Sequence, residues 1–280
     1  VGEVPTGQPG PEDGSAPQRL RRRFRAGNLG AIWPRWPRAH PWSDVTRRRW
    51  APDLLIATVL FVLGIALGAT QAAGYGQGDF YQWQYAPAVD LACGLGFTLP
   101  RSVPAPEHAF LSSTSLSTKS LSCAEVDHKR SKQPPDVFQQ QTRYLMTLIG
   151  LIWRVFGISW AAVIPLFSLF YGATVALYYA VSRLLVGRIL STALSLALSI
   201  SPVQLAMLTN FRDFSKAPFI LAAILLGAMV ARRRLSPRGL VSVSVLAGVV
   251  TGIGLGFRPD ILETAPFFVV AVLISLAGRG

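Results

Sequence analysis

The sequence predicts an all-α fold: a polytopic transmembrane helical bundle with one long loop, holding juxtamembrane helices, after its first span. Three observations predict it. Of 280 residues 51% are hydrophobic and only 15% charged, where a soluble domain carries roughly 25% charged residues. Uncharged apolar runs close to the length a helix needs to cross a bilayer recur along the chain. Basic clusters follow every second run, at Arg183/Arg188, at Arg232-Arg233-Arg234 with Arg238, and at Arg279, the distribution that the positive-inside rule produces. That distribution also accounts for the net charge of +13. Orientation and contact with anionic membrane lipids explain the basicity, and nucleic acid is not expected as a partner.

Residues 1–53 form a basic tail. They are rich in Pro, Gly and Arg, lack apolar periodicity, and carry ten of the 27 basic residues between Arg19 and Arg49. They read as a disordered cytoplasmic segment lying against the inner leaflet, with Trp33, Trp36, Trp42 and Trp50 suited to the headgroup zone. No signal peptide fits, because the apolar run that follows lacks a small-residue cleavage site before a soluble domain. The remainder, 54–280, reads as the transmembrane domain. Span one, 54–73, leads outward to Asp79 and a run of aromatic residues.

The outer loop, 74–157, is too long for a bare connection. It holds both cysteines, Cys93 and Cys123; in an oxidising compartment they could pair, and two free thiols fit the spacing equally. Its apolar stretch between Arg143 and Arg154 is too short to span and fits a helix lying in the interface. Five further spans follow at 158–182, 189–208, 219–231, 240–257 and 261–277. The chain reads as continuing beyond its C-terminus. A multi-pass protein of the plasma membrane with a cytoplasmic N-terminus is the expectation.

In this topology the acids gather outside. Nine of 14 acids and ten of 27 bases lie at the outer face, leaving it near +1 against +12 inside. The sharpest feature is the charged island Asn210-Phe211-Arg212-Asp213-Phe214-Ser215-Lys216 between two uncharged runs. Charge beside hydrocarbon costs about 2.5–3.5 kcal/mol per residue at a helix centre on insertion scales. Asp79, Arg212/Asp213/Lys216 and Arg258/Asp260 each adjoin a span end, so the three turns could share one pocket at the outer surface. A carboxylate can deprotonate a hydroxyl while Arg and Lys hold charge developing on a departing phosphate. From the residues alone three readings stay open: catalysis, a transporter with an ion-paired outer gate, and structural charges at the membrane edge.

A resemblance sharpens the choice. The run Phe156-Gly157-Ile158-Ser159, Ile164-Pro165-Leu166-Phe167 onward to Tyr178-Tyr179-Ala180-Val181-Ser182-Arg183-Leu184-Leu185-Val186-Gly187-Arg188 resembles the second span of GT-C glycosyltransferases. The group is the protein O-mannosyltransferase-like one, with the aminoarabinose transferases and RgtA/B/C/D-like proteins. Ala197 to Pro202, leading to Arg212-Asp213, is similar to their third span and second outer loop. The likeness covers about 54–277, the N-terminal catalytic half of such an enzyme. It implies a GT-C-like bundle and an inverting sugar transfer from a polyprenyl-phosphate donor to a hydroxyl of a glycan, lipid or protein acceptor in the cell envelope. A membrane transporter or lipid-linked sugar flippase is the alternative.

The resemblance puts Asp79 in the place of the catalytic acid residue that activates the acceptor. Arg212, Lys216 and Arg258 become donor-phosphate contacts, with Asp90, Asp213 and Asp260 in support. Two departures stand out. Asp79 is followed by Phe80 rather than a second acid, so Asp90 would have to supply it; Pro134-Pro135-Asp136 lacks the histidine many relatives carry before the juxtamembrane helix. No metal site is assigned: His40, His108 and His128 have no zinc spacing, and a divalent cation stays open as a cofactor. Gly248, Gly252 and Gly256 in span five have the small-xxx-small spacing of close helix packing.

Overall fold

The computed structural model describes residues 47–74, 83–113, 119–129, 131–208, 210–232 and 235–277. Most of the tail, Asp79, Arg233, Arg234 and Arg279 therefore lie outside the described residues. Helix α1 (Arg47–Gly74) begins before the expected span and takes in Arg47 to Arg49 and Asp53. Then come a 3-10 turn (Trp83–Tyr85), α2 (Ala86–Ala92), β1 (Leu99–Pro100), α3 (Ala105–Leu111), β2 (Ser120–Leu121), a second turn (Cys123–Glu125), β3 (Lys132–Gln133), α4 (Val137–Gln141), α5 (Arg143–Phe156) and β4 (Ile158–Ser159). The rest is helical: α6 (Ile164–Leu185), α7 (Arg188–Ser199), α8 (Pro202–Leu208), α9 (Phe211–Phe214), α10 (Ala217–Arg232), α11 (Pro237–Leu255), a 3-10 turn (Pro259–Glu263) and α12 (Thr264–Ala277).

Five helices among the described residues are long and apolar enough to cross a membrane: 51–73, 161–185, 211–231, 237–255 and 259–276. A sixth crossing exists if α7 and α8 count as one span. The chain is a mostly helical, multi-pass membrane bundle. Large apolar side chains stand exposed on α11 and α12, Val241, Val245, Leu273 and Ile274 among them, as helices solvated by hydrocarbon allow.

The third span, expected to be continuous over 189–208, is bent by 54° between α7 and α8. Pro202 supplies the reason: it has no N–H to give the preceding turn, and its ring disfavours a helical residue before it. The Tyr171 hydroxyl of α6 donates to the Ser199 carbonyl at 2.8 Å, occupying an acceptor at the break. The second span starts later than expected, because Ile158 and Ser159 are spent on β4, which pairs antiparallel with β2.

Close helix packing also falls elsewhere than expected. A Cβ placed on Gly248 or Gly252 would meet nothing within 4 Å, so those glycines have no helix against them, whereas Gly256, the third of the spacing, lies directly against Tyr144 of α5. The close crossing is α1 on α6: a Cβ on Gly64 would lie 2.8 Å from Gly172 Cα, and one on Gly172 would lie 2.6 Å from the Phe61 carbonyl oxygen. Glycine is required there because backbone meets backbone.

The described residues between 83 and 159 form a layer over one end of the bundle, called here the loop face. A disulfide joins Cys93, just past α2, to Cys123. Its core is aromatic: Trp160 packs edge-on to Tyr85 and Trp153 and stacks on Phe110. Each indole is satisfied, Trp153 donating to the Ser159 carbonyl at 2.7 Å and Trp160 to that of Phe110 at 3.4 Å. Helix α5 is the amphipathic helix the bracketing arginines predicted. It buries Leu145, Met146, Ile149 and Trp153 and exposes Leu151, Val155 and Phe156. Gly157, at φ 90°, ends it in a conformation that L side chains rarely adopt.

Candidate functional site

The charged island sits at the loop face, and its own sequence explains why. In the short helix α9, Phe211 and Phe214 share one side and go into the bundle, both nearly fully buried. Phe211 stacks on Phe167, and Phe214 lies against Tyr171. Phe257, one residue before Arg258, packs on Phe170 and Phe219. These rings make an apolar floor that orients the intervening polar residues, Arg212, Asp213 and Arg258, toward one another.

The result is a continuous chain of opposite charges. Lys216 donates to Asp260 at 2.5 Å, and Arg258 approaches Asp260 at 3.6 Å. Arg258 also pairs with Asp213 at 2.7 Å, and Arg212 reaches the same Asp213 oxygen at 3.4 Å. Arg212, 7% exposed, further donates to the side-chain oxygen of Gln84. Three predicted phosphate contacts and two predicted supporting acids thus form one cluster, with three cations and two carboxylates among the described residues.

Gln84 was not singled out by the sequence. It lies five residues after Asp79, on the turn that opens the loop layer, and couples that layer to Arg212. An uncharged amide in an aromatic run carries no signal of such a contact. Asp79 itself lies outside the described residues. Asp90 is fully buried in α2, where it accepts from the Thr98 hydroxyl at 2.8 Å. Among the described residues no group of three His, Cys, Asp or Glu is placed to hold a metal ion.

Two further features went unread in the sequence. At the opposite end of the bundle Asp53 accepts from Arg183 at 3.1 Å, Arg188 at 2.9 Å and the Tyr179 hydroxyl at 2.8 Å. It pins the ends of α1, α6 and α7 together. The signal available was a lone acid at the start of an apolar run, opposite two arginines at the end of another. In the loop layer, Glu107 of α3 is fully buried, and burial pushes its carboxyl up to about 7.

Beside Gln84 a cavity of about 460 Å³ opens in the loop layer. Its walls come from three separate stretches: Trp83 and Gln84, the strand-end residues 99–103, and Asp136 to Gln139 at the start of α4. Asp136 caps that helix, accepting from the Gln139 N–H at 2.8 Å while the Gln139 side-chain oxygen accepts from the Asp136 N–H at 3.0 Å. No family model, curated protein or solved structure matches this chain.

Proposed function

We infer that this chain is a membrane glycosyltransferase that moves a sugar from polyprenyl phosphate to an acceptor hydroxyl at the loop face. The observation that carries the reading is the gathering of Arg212, Lys216 and Arg258, from two turns far apart in sequence, into one cluster that Arg212 ties to Gln84, close after Asp79 in the sequence. Asp79 would take the proton of the acceptor hydroxyl. The freed oxygen would attack the anomeric carbon as its bond to phosphate breaks, inverting the configuration. Polyprenyl phosphate would leave with the bonding electrons, its charge held by the two guanidiniums and the ammonium.

The cluster suits this role, since an arriving phosphate would exchange with Asp213 and Asp260 for the donors of Arg212, Arg258 and Lys216. A site at the end of an apolar bundle lets the polyprenyl chain stay in the bilayer. The disulfide in the loop layer supports an extracytoplasmic, oxidising location for that face.

A second reading, a transporter or flippase, has its own support. The cations are already paired with carboxylates, a second ion cluster around Asp53 closes the other end, and one span is broken. Labelled polyprenyl-phosphate sugars in membranes holding the chain separate the two. Label in a product sugar linkage, reduced by Arg258→Gln, supports transfer. Movement of the intact donor across the bilayer without transfer would establish the second reading instead.

A further inference from the structure

We propose that the cavity beside Gln84 is a saccharide site for an uncharged sugar ring, and, on the glycosyltransferase reading above, that it holds the glycan portion of the acceptor. The argument starts from its volume. About 460 Å³ falls within the 300–1,000 Å³ typical of small-molecule sites. Its lining then selects a chemical class. Trp83 offers an indole, held edge-on against the His108 ring with centroids 5.0 Å apart, and Phe138 gives a second aromatic wall. Aromatic faces suit the C–H side of a pyranose.

The polar groups match sugar hydroxyls, each of which both donates and accepts. Arg101 brings donors, and so does the amide nitrogen of Gln84, whose oxygen is taken by Arg212. Asp136 brings acceptor capacity, because only one of its oxygens serves the helix cap. Charge excludes a phosphate as the preferred ligand. Arg101 and Asp136 cancel, whereas the neighbouring cluster gathers three cations, Arg212, Arg258 and Lys216. The two compartments therefore divide the reactants by charge, and Gln84 is their common wall.

The test is binding without donor, read by saturation-transfer NMR on the whole purified protein in nanodiscs. The probes are methyl glycosides of hexoses and pentoses, with glycerol phosphate as the charged control and a serine-rich peptide as the protein control. At least one neutral glycoside is expected to bind, with affinity at least tenfold lower in Trp83→Ala and in Arg101→Ala. Arg101 is exposed, so its variant keeps the test intact if the tryptophan variant fails to fold. Binding of none of the glycosides, preference for glycerol phosphate or the peptide, or equal binding by Arg101→Ala would overturn the site. Glycoside binding that depends on Trp83 and Arg101, in a protein that transfers no sugar from polyprenyl phosphate, would uphold the site and remove the glycosyltransferase reading. Transfer with an unchanged KM for acceptor in both variants would do the reverse.

Discussion

Replacing Asp213 by Asn should destabilise the protein far more than replacing Asp260. Asp213 lies between two guanidiniums, at 2.7 Å from Arg258 and 3.4 Å from Arg212. The side chains of Arg212, Arg258 and Asp213 are 8%, 19% and 19% exposed, so little water compensates for the loss. Removing one partner of a buried pair costs about 3–5 kcal/mol, chiefly through the charge left behind. Discounted for the partial exposure of Arg258, the change should cost about 2–4 kcal/mol. Lys216 and Asp260 are 30% and 36% exposed, and breaking that pair should cost roughly 1 kcal/mol or less.

Thermal unfolding in one detergent, with the double variant Asp213→Asn/Arg258→Gln added, reads both claims. The double variant should lose less than the two single changes together, by roughly 1 kcal/mol or more, because one of the two guanidiniums that Asp213 faced is gone with it. The Asn change also removes one negative charge from the cluster, so donor affinity should hold or rise even as stability falls. Equal Tm losses for Asp213→Asn and Asp260→Asn, or additivity in the double variant, would refute the reasoning.

Other consequences follow from single features. Gly172→Ala should cost about 1–3 kcal/mol, because a methyl 2.6 Å from the Phe61 oxygen forces α1 and α6 apart, whereas Gly252→Ala should be neutral or stabilising; Tm values check the pair. Cys93→Ser/Cys123→Ser opens a 30-residue loop and should lose about 3–4 kcal/mol by chain-entropy reckoning, visible as faster proteolysis of residues 93–123. Glu107 makes stability fall as pH rises. Its folded carboxyl titrates near 7, above its unfolded range, so the folded state holds an extra proton between about 4.5 and 7 and loses that advantage across this window. Glu107→Gln should flatten the Tm-against-pH profile between those values; an unchanged slope would contradict it.

The spans were legible because a bilayer demands long uncharged runs, and α5 was legible because Arg143 and Arg154 bracket a run too short to cross. The convergence of the 212–216 and 258–260 turns was legible too, since both adjoin span ends. Pairwise geometry was not. The Gly248/Gly252 spacing suggested close packing, yet that requires a facing helix at those positions, as Gly64 and Gly172 provide for each other. Pro202 signalled a break in principle, but the Tyr171 hydroxyl that accommodates it comes from another helix. Two cysteines 30 residues apart leave pairing open until α2 and the 123–125 turn are seen side by side. Gln84 and Asp53 were missed because their importance lies wholly in which arginines meet them.

Transfer of labelled sugar from polyprenyl phosphate by the unaltered protein and by Asp79→Asn, compared at equal membrane insertion, tests the central claim most directly. The account predicts transfer by the parent and a loss of at least a hundredfold in the variant, as removal of a general base implies. Transfer unchanged by Asp79→Asn, or no transfer by the parent from any polyprenyl-phosphate sugar, would contradict it.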